Sequence, residues 1–184
     1  MNRSKALCAI ILTFASNYGV AAQDLSHFAD PDYGISISYP SHWLLEDTVE
    51  DGEVFTVNVD QTVNGGRCVI FVEEVPEFDG MDDAEAADYL LATDWYENRY
   101  KVWFPSFTTI ARERVELSGR QAVEIECRTD LVDIGLPYLS ESIDYVVAHD
   151  GRLTALGCFA GPEEFADLRH VFVATLRSVT LPSD

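Results

Sequence analysis

The segment SESIDYVVAHDGRLTALGCFA, residues 140–160, leaves the chain little choice of local structure. Asp150-Gly151 supplies the two positive φ angles of a type I′ turn, so the alternating apolar runs on either side pair as an antiparallel hairpin. That register sets Tyr145 opposite Leu156 and Ile143 opposite Cys158. A second hairpin is expected from TIARERVEL through Ser118-Gly119-Arg120 into QAVEIECR; read as a three-residue loop, it sets Val115 opposite Val123. Earlier, YGISISYP alternates Ile35, Ile37 and Tyr39 against Gly34, Ser36 and Ser38 and is stopped by Pro40. EVFTVNVD, the turn Asn64-Gly65-Gly66 and RCVIFVEEV read as one more hairpin.

Two stretches change period. Asp82 and Glu85 have the spacing of a capping box, and Ala84, Ala87, Leu91 and Trp95 recur at helical intervals, which predicts a helix from Asp82 to about Tyr100. The chain closes on a second helix, Pro162 to Arg177. Gly161 caps it, Pro162 takes its first position, and Glu163 and Glu164 favour the positive end of its dipole. Phe165, Leu168, Phe172, Leu176 and Val179 form its apolar stripe. Strands, helix, hairpins, helix is the order of an α+β fold, an antiparallel sheet with helices packed on it.

The opening residues form a leader. Arg3 and Lys5 precede an apolar core from Ala6 to Ala15, too short for a bilayer of roughly 30 Å, and Val20-Ala21-Ala22 ends in small residues. Residues 1–22 are therefore expected to be a signal peptide and residues 23–184 a single exported domain, periplasmic or secreted. No lipobox precedes Cys8, so no lipid anchor is expected. Loss of Arg3 and Lys5 moves the formal charge from −20 to −22. That charge repels phosphate backbones and anionic lipid, which excludes nucleic acid as a partner and disfavours anionic membrane surfaces. Solubility accounts for the acidity ahead of a specific cationic partner, and the partner expectation is another protein, a basic surface being one option. About 160 residues bury enough surface for one domain without staples.

Catalytic signatures are missing: there is no G-x-S-x-G, no P-loop, no G-x-G-x-x-G and no H-E-x-x-H. His27, His42, His149 and His170 are scattered, His149 beside a turn and His170 on the polar side of the last helix, so no metal and no cofactor is expected. Glu77, Asp79, Asp82 and Asp83 cluster without calcium-loop spacing, and helix capping accounts for the local acids. Three cysteines follow the leader. Cys127 shares a face with Val123 and Ile125, and Cys158 one with Leu156 and Ile143, so both point toward the core. A Cys127–Cys158 disulfide is the candidate pairing, with the strand Ser142 to His149 standing against it.

Tyr39, Pro40 and Trp43 in YGISISYPSHW, and Phe172, Leu176, Ser178 and Val179 in the closing helix, resemble the packing motifs of the PsbP-like superfamily. That family includes an extrinsic photosystem subunit, a Ran-binding transport factor and exported bacterial proteins. The resemblance implies an α/β/α sandwich and protein-binding roles without catalysis; it carries over no functional residue. The first functional expectation is thus an exported, non-enzymatic interaction or assembly module. The alternative is a periplasmic small-ligand binder with a pocket between the sheet and the first helix. WYENRYKVWFPSF, residues 95–107, concentrates aromatics around two of the few cations, and Tyr96, Arg99, Tyr100 and Trp103 are the expected contact residues. N-terminal sequencing of the exported protein should read Gln23 first; Met1 retained on cytoplasmic protein would remove the export assignment.

Overall fold

The computed structural model describes residues 24–46, 52–60, 65–134 and 139–182; the leader and Asn64 of the Asn64-Gly65-Gly66 turn lie outside them. Among the described residues, nine strands and three α-helices follow in chain order. They are β1 (Leu25–Asp30), β2 (Ile35–Pro40), β3 (Leu44–Leu45), β4 (Glu53–Asn58), β5 (Arg67–Glu74), α1 (Asp83–Ala92), α2 (Trp95–Tyr100), β6 (Thr108–Leu117), β7 (Arg120–Asp130), β8 (Leu139–His149), β9 (Arg152–Ala160) and α3 (Pro162–Arg177). Seven strands form one antiparallel sheet in the order β3-β4-β5-β9-β8-β7-β6, and β1 and β2 form a separate ribbon. The α+β class and its helices packed on an antiparallel sheet are as the sequence patterns predict.

Period-two alternation gives the sheet two buried faces. Ile70, Ile143, Tyr145 and Leu156 belong to one core, closed by α3 and by Ile35, Ile37, Tyr39 and Trp43. Val123, Ile125, Val146 and Leu153 belong to the other, closed by α1 and α2 through Ala86, Ala87, Leu90 and Tyr96. The result is helix, sheet, helix in three layers. The two motifs that carried the family resemblance meet in the first core. Trp43 packs edge-on against Phe172 at 6.0 Å, the Ser38 N–H donates to Ser178 Oγ at 2.9 Å, and Ser36 pairs with Thr180.

The β8–β9 hairpin has the predicted register, Tyr145 to Leu156 and Ile143 to Cys158, and Asp150 and Gly151 take the positive φ of the turn. The β6–β7 hairpin differs by one residue. Ser118 (φ 54°) and Gly119 (φ 80°) form a two-residue turn, Leu117 faces Arg120, and Val115 faces Ala122 instead of Val123. Ser118 accepts a left-handed conformation that only two consecutive positive-φ residues can supply, and the shorter loop wins because its twist matches the flanking strands.

The single helix from Asp82 to Tyr100 is also corrected. The capping box is present, with the Glu85 N–H donating to Asp82 Oδ1 at 2.8 Å, but the helix ends at Ala92 because Thr93 is extended (φ −126°, ψ 163°). The Thr93 hydroxyl donates to the Tyr89 carbonyl at 2.9 Å, the local competition that makes Thr a poor helix interior residue. Arg112 of β6 then donates to the carbonyls of Leu90 and Thr93, satisfying acceptors at an end where no basic residue lies in the last turn. The buried stripe is Ala86, Ala87 and Leu90, with Leu91 and Trp95 partly buried beside it. Ala84 lies at the edge of that stripe.

The expected Cys127–Cys158 pairing is replaced by Cys68–Cys158, and Cys127 is a buried free thiol. The reason is the pleat. Cys127 lies in the core under α1 and Cys158 in the core under α3, so the sheet itself separates them. Cys68 and Cys158 are direct partners across β5 and β9, with Cα atoms 4.1 Å apart, within bridging reach. The bond closes a 90-residue separation. Replacing both cysteines by Ala should lower unfolding stability by roughly 2–5 kcal/mol, read from urea titrations of both proteins under oxidising conditions; an unchanged midpoint would show that the bridge constrains nothing.

Candidate functional site

A cavity of about 310 Å³ opens on the α2 side of the sheet. Its floor is β5, β9 and β8, through Val69, Phe71, Ala155, Gly157, Phe159 and Asp144, and its roof is Tyr96, Tyr100, Phe104 and Phe107. The roof is built from two turns of helix and the loop after it. Tyr96 packs on Tyr100 (4.7 Å) and Phe107 (6.1 Å), and Tyr100 stacks on Phe107 at 5.0 Å with an 18° interplanar angle. α2 is too short to hold itself in place, so its position comes from elsewhere. The Thr109 N–H donates to Glu97 Oε2 at 2.9 Å and Lys101 bonds Glu97 Oε1 at 2.6 Å. Those two donors, Lys101 first, hold the Glu97 carboxyl down at about 2.

Asp144 is the polar centre of the floor. It lies on β8 and is 8% exposed. Its cross-strand partner is Gly157, where an added Cβ would sit 2.4 Å from Asp144 Oδ1; only a residue with no side chain leaves the carboxylate its space. The Ser142 hydroxyl donates to Asp144 Oδ2 at 3.3 Å, and Tyr96 and Cys127 also hydrogen-bond toward it. Burial nevertheless dominates and pushes the Asp144 carboxyl up from 3.8 to about 7. Burial likewise raises the hydroxyls of Tyr96 and Tyr100 and the Cys127 thiol above their ordinary values, so these groups remain neutral donors near neutral pH.

The four residues expected to share a contact surface are divided by the structure. Tyr96 is buried, 1% exposed: with the chain broken at Thr93, α2 turns this ring inward under Phe107. With Tyr100 it forms the cavity roof. Trp103 is 55% exposed and Val102 76% exposed, beside Tyr100 at a ring separation of 6.2 Å. Arg99 pairs with Glu73 and lies over the rings of Trp95 (5.4 Å) and Trp103 (5.9 Å), a sandwich that holds the guanidinium in place. Phe104 and Phe107 belong to the aromatic run 95–107 singled out in the sequence; the residues not foreseen are Asp144, Gly157, Val69, Phe71 and Phe159. Asp144 and Gly157 had a signal: the hairpin register set by Asp150-Gly151 also sets them opposite each other, an acid between Ile143 and Tyr145 facing a glycine between Leu156 and Cys158. His149 is half-buried and His170 exposed. Among the described residues, no group of three metal-ligating side chains converges and no helix is long and apolar enough to cross a membrane.

No family model and no curated protein matches the chain, whereas solved structures do. The solution structure of cyanobacterial PsbP from Synechocystis aligns with a TM-score of 0.58 at 13% identity, over 92% of this chain and 99% of that one. The fold is PsbP-like. LpqN, involved in cell envelope biogenesis of Mycobacterium tuberculosis, aligns with a TM-score of 0.61 at 13% identity over 86% of this chain and 91% of its own. The Ran-binding protein Mog1p of Saccharomyces cerevisiae aligns with a TM-score of 0.54 at 9% identity over 87% and 96%. At such identities the likeness concerns the PsbP-like backbone alone, and the cavity is described by this chain's own side chains.

A carboxyl whose folded pKa lies above its unfolded one binds more protons folded than unfolded, so its burial costs nothing in acid and destabilises progressively as pH rises from about 4 through 7. Asp144→Asn should therefore gain stability relative to the parent between pH 5 and pH 8, on the order of 2 kcal/mol at 1.36 kcal/mol per pKa unit. Urea titrations at the two pH values measure it; a pH-independent difference would show that Asp144 is not buried as an acid.

Proposed function

We propose that this chain is an exported, non-enzymatic binding module that takes a small molecule into the cavity beneath α2. The single observation behind this reading is the cavity itself. It is walled by six aromatic rings and carries the buried acid Asp144 at its floor, with the Glu53–Arg67 pair at its edge, the combination of apolar lining and few oriented polar groups by which small-molecule sites are built. Among the described residues no catalytic constellation accompanies it: Ser142 donates to Asp144 and the Cys127 thiol is held neutral, so neither is a nucleophile positioned by a base. The periplasm or the medium is the expected compartment, in keeping with the leader.

A second reading, a protein partner at the same end, is favoured by the exposure of Val102 and Trp103 beside the roof. It is supported by the description of one neighbour of the same fold as a Ran-binding protein. The basic partner surface expected from the chain's net charge of −20 belongs to this second reading.

Filling the cavity separates the two. Small aromatic fragments should raise the melting temperature of the parent by several degrees, and Val69→Phe, which places a ring in the floor, should abolish that response. Its own unfolding midpoint should stay close to that of the parent. Fragments that bind both proteins equally, or neither, would remove the small-molecule reading.

A further inference from the structure

From the chemistry of its floor and walls, we infer that the cavity selects a small organic ammonium ion, an amine with an apolar or aromatic body, over neutral and anionic molecules of the same shape. This rests on the reading of the cavity as a ligand site and adds the ligand's class.

Three observations carry it. The first is an acid without a cation. Asp144 is buried in the floor, and its hydrogen bonds come from neutral donors only, Ser142, Tyr96 and Cys127. The cations around it are committed elsewhere. Arg67, at the cavity edge, lies 3.2 Å from Glu46 and 3.7 Å from Glu53. Arg99 pairs with Glu73, and Arg112 is bonded to the end of α1 and to Asp94 at 3.2 Å. A cationic ligand would be the first full positive charge to reach the Asp144 carboxylate.

The second is the walls. Tyr96, Tyr100, Phe104, Phe107, Phe71 and Phe159 surround the space above the acid, and aromatic faces attract an ammonium most strongly when it is desolvated. They also give an apolar body its contact area. The volume, about ten water molecules' worth, suits a molecule of roughly ten heavy atoms.

The third is preorganisation. Pairing two charges in an interior usually fails to repay the desolvation of both. Here the carboxylate is already stripped of water by folding, with Gly157 leaving it room, so binding adds only the desolvation of the ligand. The strongly acidic chain also raises the local concentration of cations. An anion meets the repulsion of Asp144 and of the acidic chain, with Arg67 as the one cation in the described lining.

The acid's burial adds a pH signature. The ammonium pairs with the ionised form of a group that holds its proton up to about 7, so affinity should rise about tenfold from pH 6 to pH 8 as the ionised fraction grows, with release of a proton on binding. The other titratable and charged groups around Asp144 and the cavity are Tyr96 and Tyr100 from α2, Cys127 from β7, Glu53 from β4, Arg67 from β5 and, acting on Tyr100, Glu73 of β5. Burial keeps the first three in their neutral forms over that range.

Calorimetry with three matched probes, 2-phenylethylamine, 2-phenylethanol and phenylacetate, tests the assignment on the full exported protein and on Asp144→Asn. The amine should bind at least tenfold more tightly than the alcohol at pH 8 and bind more weakly at pH 6, and phenylacetate should bind least. In Asp144→Asn the amine's advantage should disappear while 2-phenylethanol still binds, which shows that the variant is folded and its cavity intact. Equal binding of amine and alcohol by the parent would overturn the ammonium assignment and leave the ligand site standing. Preference for phenylacetate would overturn it as well, with Arg67 as the selecting group. Binding of none of the three would overturn the assignment and the small-molecule reading together.

Discussion

Everything on the α2 side depends on the pairing of β5 with β9. It runs from Arg67 opposite Phe159 to Glu74 opposite Arg152 and joins two meanders, β3-β4-β5 and β6-β7-β8-β9, into one sheet. Residues about 90 positions apart must find each other for this junction to form, an entropic cost that grows only slowly with loop length. The Cys68–Cys158 bond sits within that ladder and reduces the freedom of the unfolded chain at the one junction that local turns cannot specify. The same ladder fixes which residues face which way. With Cys68 and Cys158 turned to α3, Val69 and Gly157 turn to α2, and the cavity floor follows.

The two faces are then covered unequally. Seven strands at about 4.8 Å spacing present a surface roughly 29 Å across, and a helix with side chains covers about 10 Å of it. On one face α3 shares the task with the β1–β2 ribbon, whose Ile35, Ile37 and Tyr39 join Phe165, Phe172 and Leu176 in one continuous core. On the other face α1 packs over β6, β7 and β8, and toward β5 and β9 the cover is the six residues of α2, the loop after it and the short segment Pro76–Phe78. The cavity is what remains of a broad face when its cover is short. Large rings then bridge the gap: Tyr100 stacked on Phe107, with Tyr96 beneath, spans a distance that aliphatic side chains would leave open.

This asymmetry explains what could be read from the sequence. Elements built on local chemistry were legible: the Asp150-Gly151 hairpin with its register, the capping box at Asp82 and the whole of α3 with its Gly-Pro start. The β6–β7 register failed because Ser118 takes the left-handed conformation at a position where sequence preference favours glycine or asparagine. α1 and α2 merged in the pattern because the apolar spacing continues across Thr93-Asp94, where side-chain competition for the backbone breaks the helix. The disulfide failed for a different reason. Its pairing depends on strand order, and no local signal places β9 beside β5. The candidate site was half legible: the aromatic run was visible, but the sheet residues it covers come from strands distant in the chain.

Asp144 is the residue that the rest of the charge distribution makes hard to explain as structure alone. Arg67, Arg99, Arg114, Arg128, Arg152 and Arg169 all pair with carboxylates near the surface, where such pairs add little stability. On the α3 face the buried Glu124 is answered by Arg169 at 3.8 Å and Arg177 at 3.6 Å, so a buried acid in this fold can be given cations. Asp144 has none, although asparagine would keep the Ser142 hydrogen bond and avoid the cost of burying a charge. A position that weakens the fold as pH rises, lies under the largest aromatic cluster and is left room by a glycine is better understood through what it can hold than through what it stabilises. The PsbP-like scaffold supplies the rigid floor, and the short α2 roof supplies the opening.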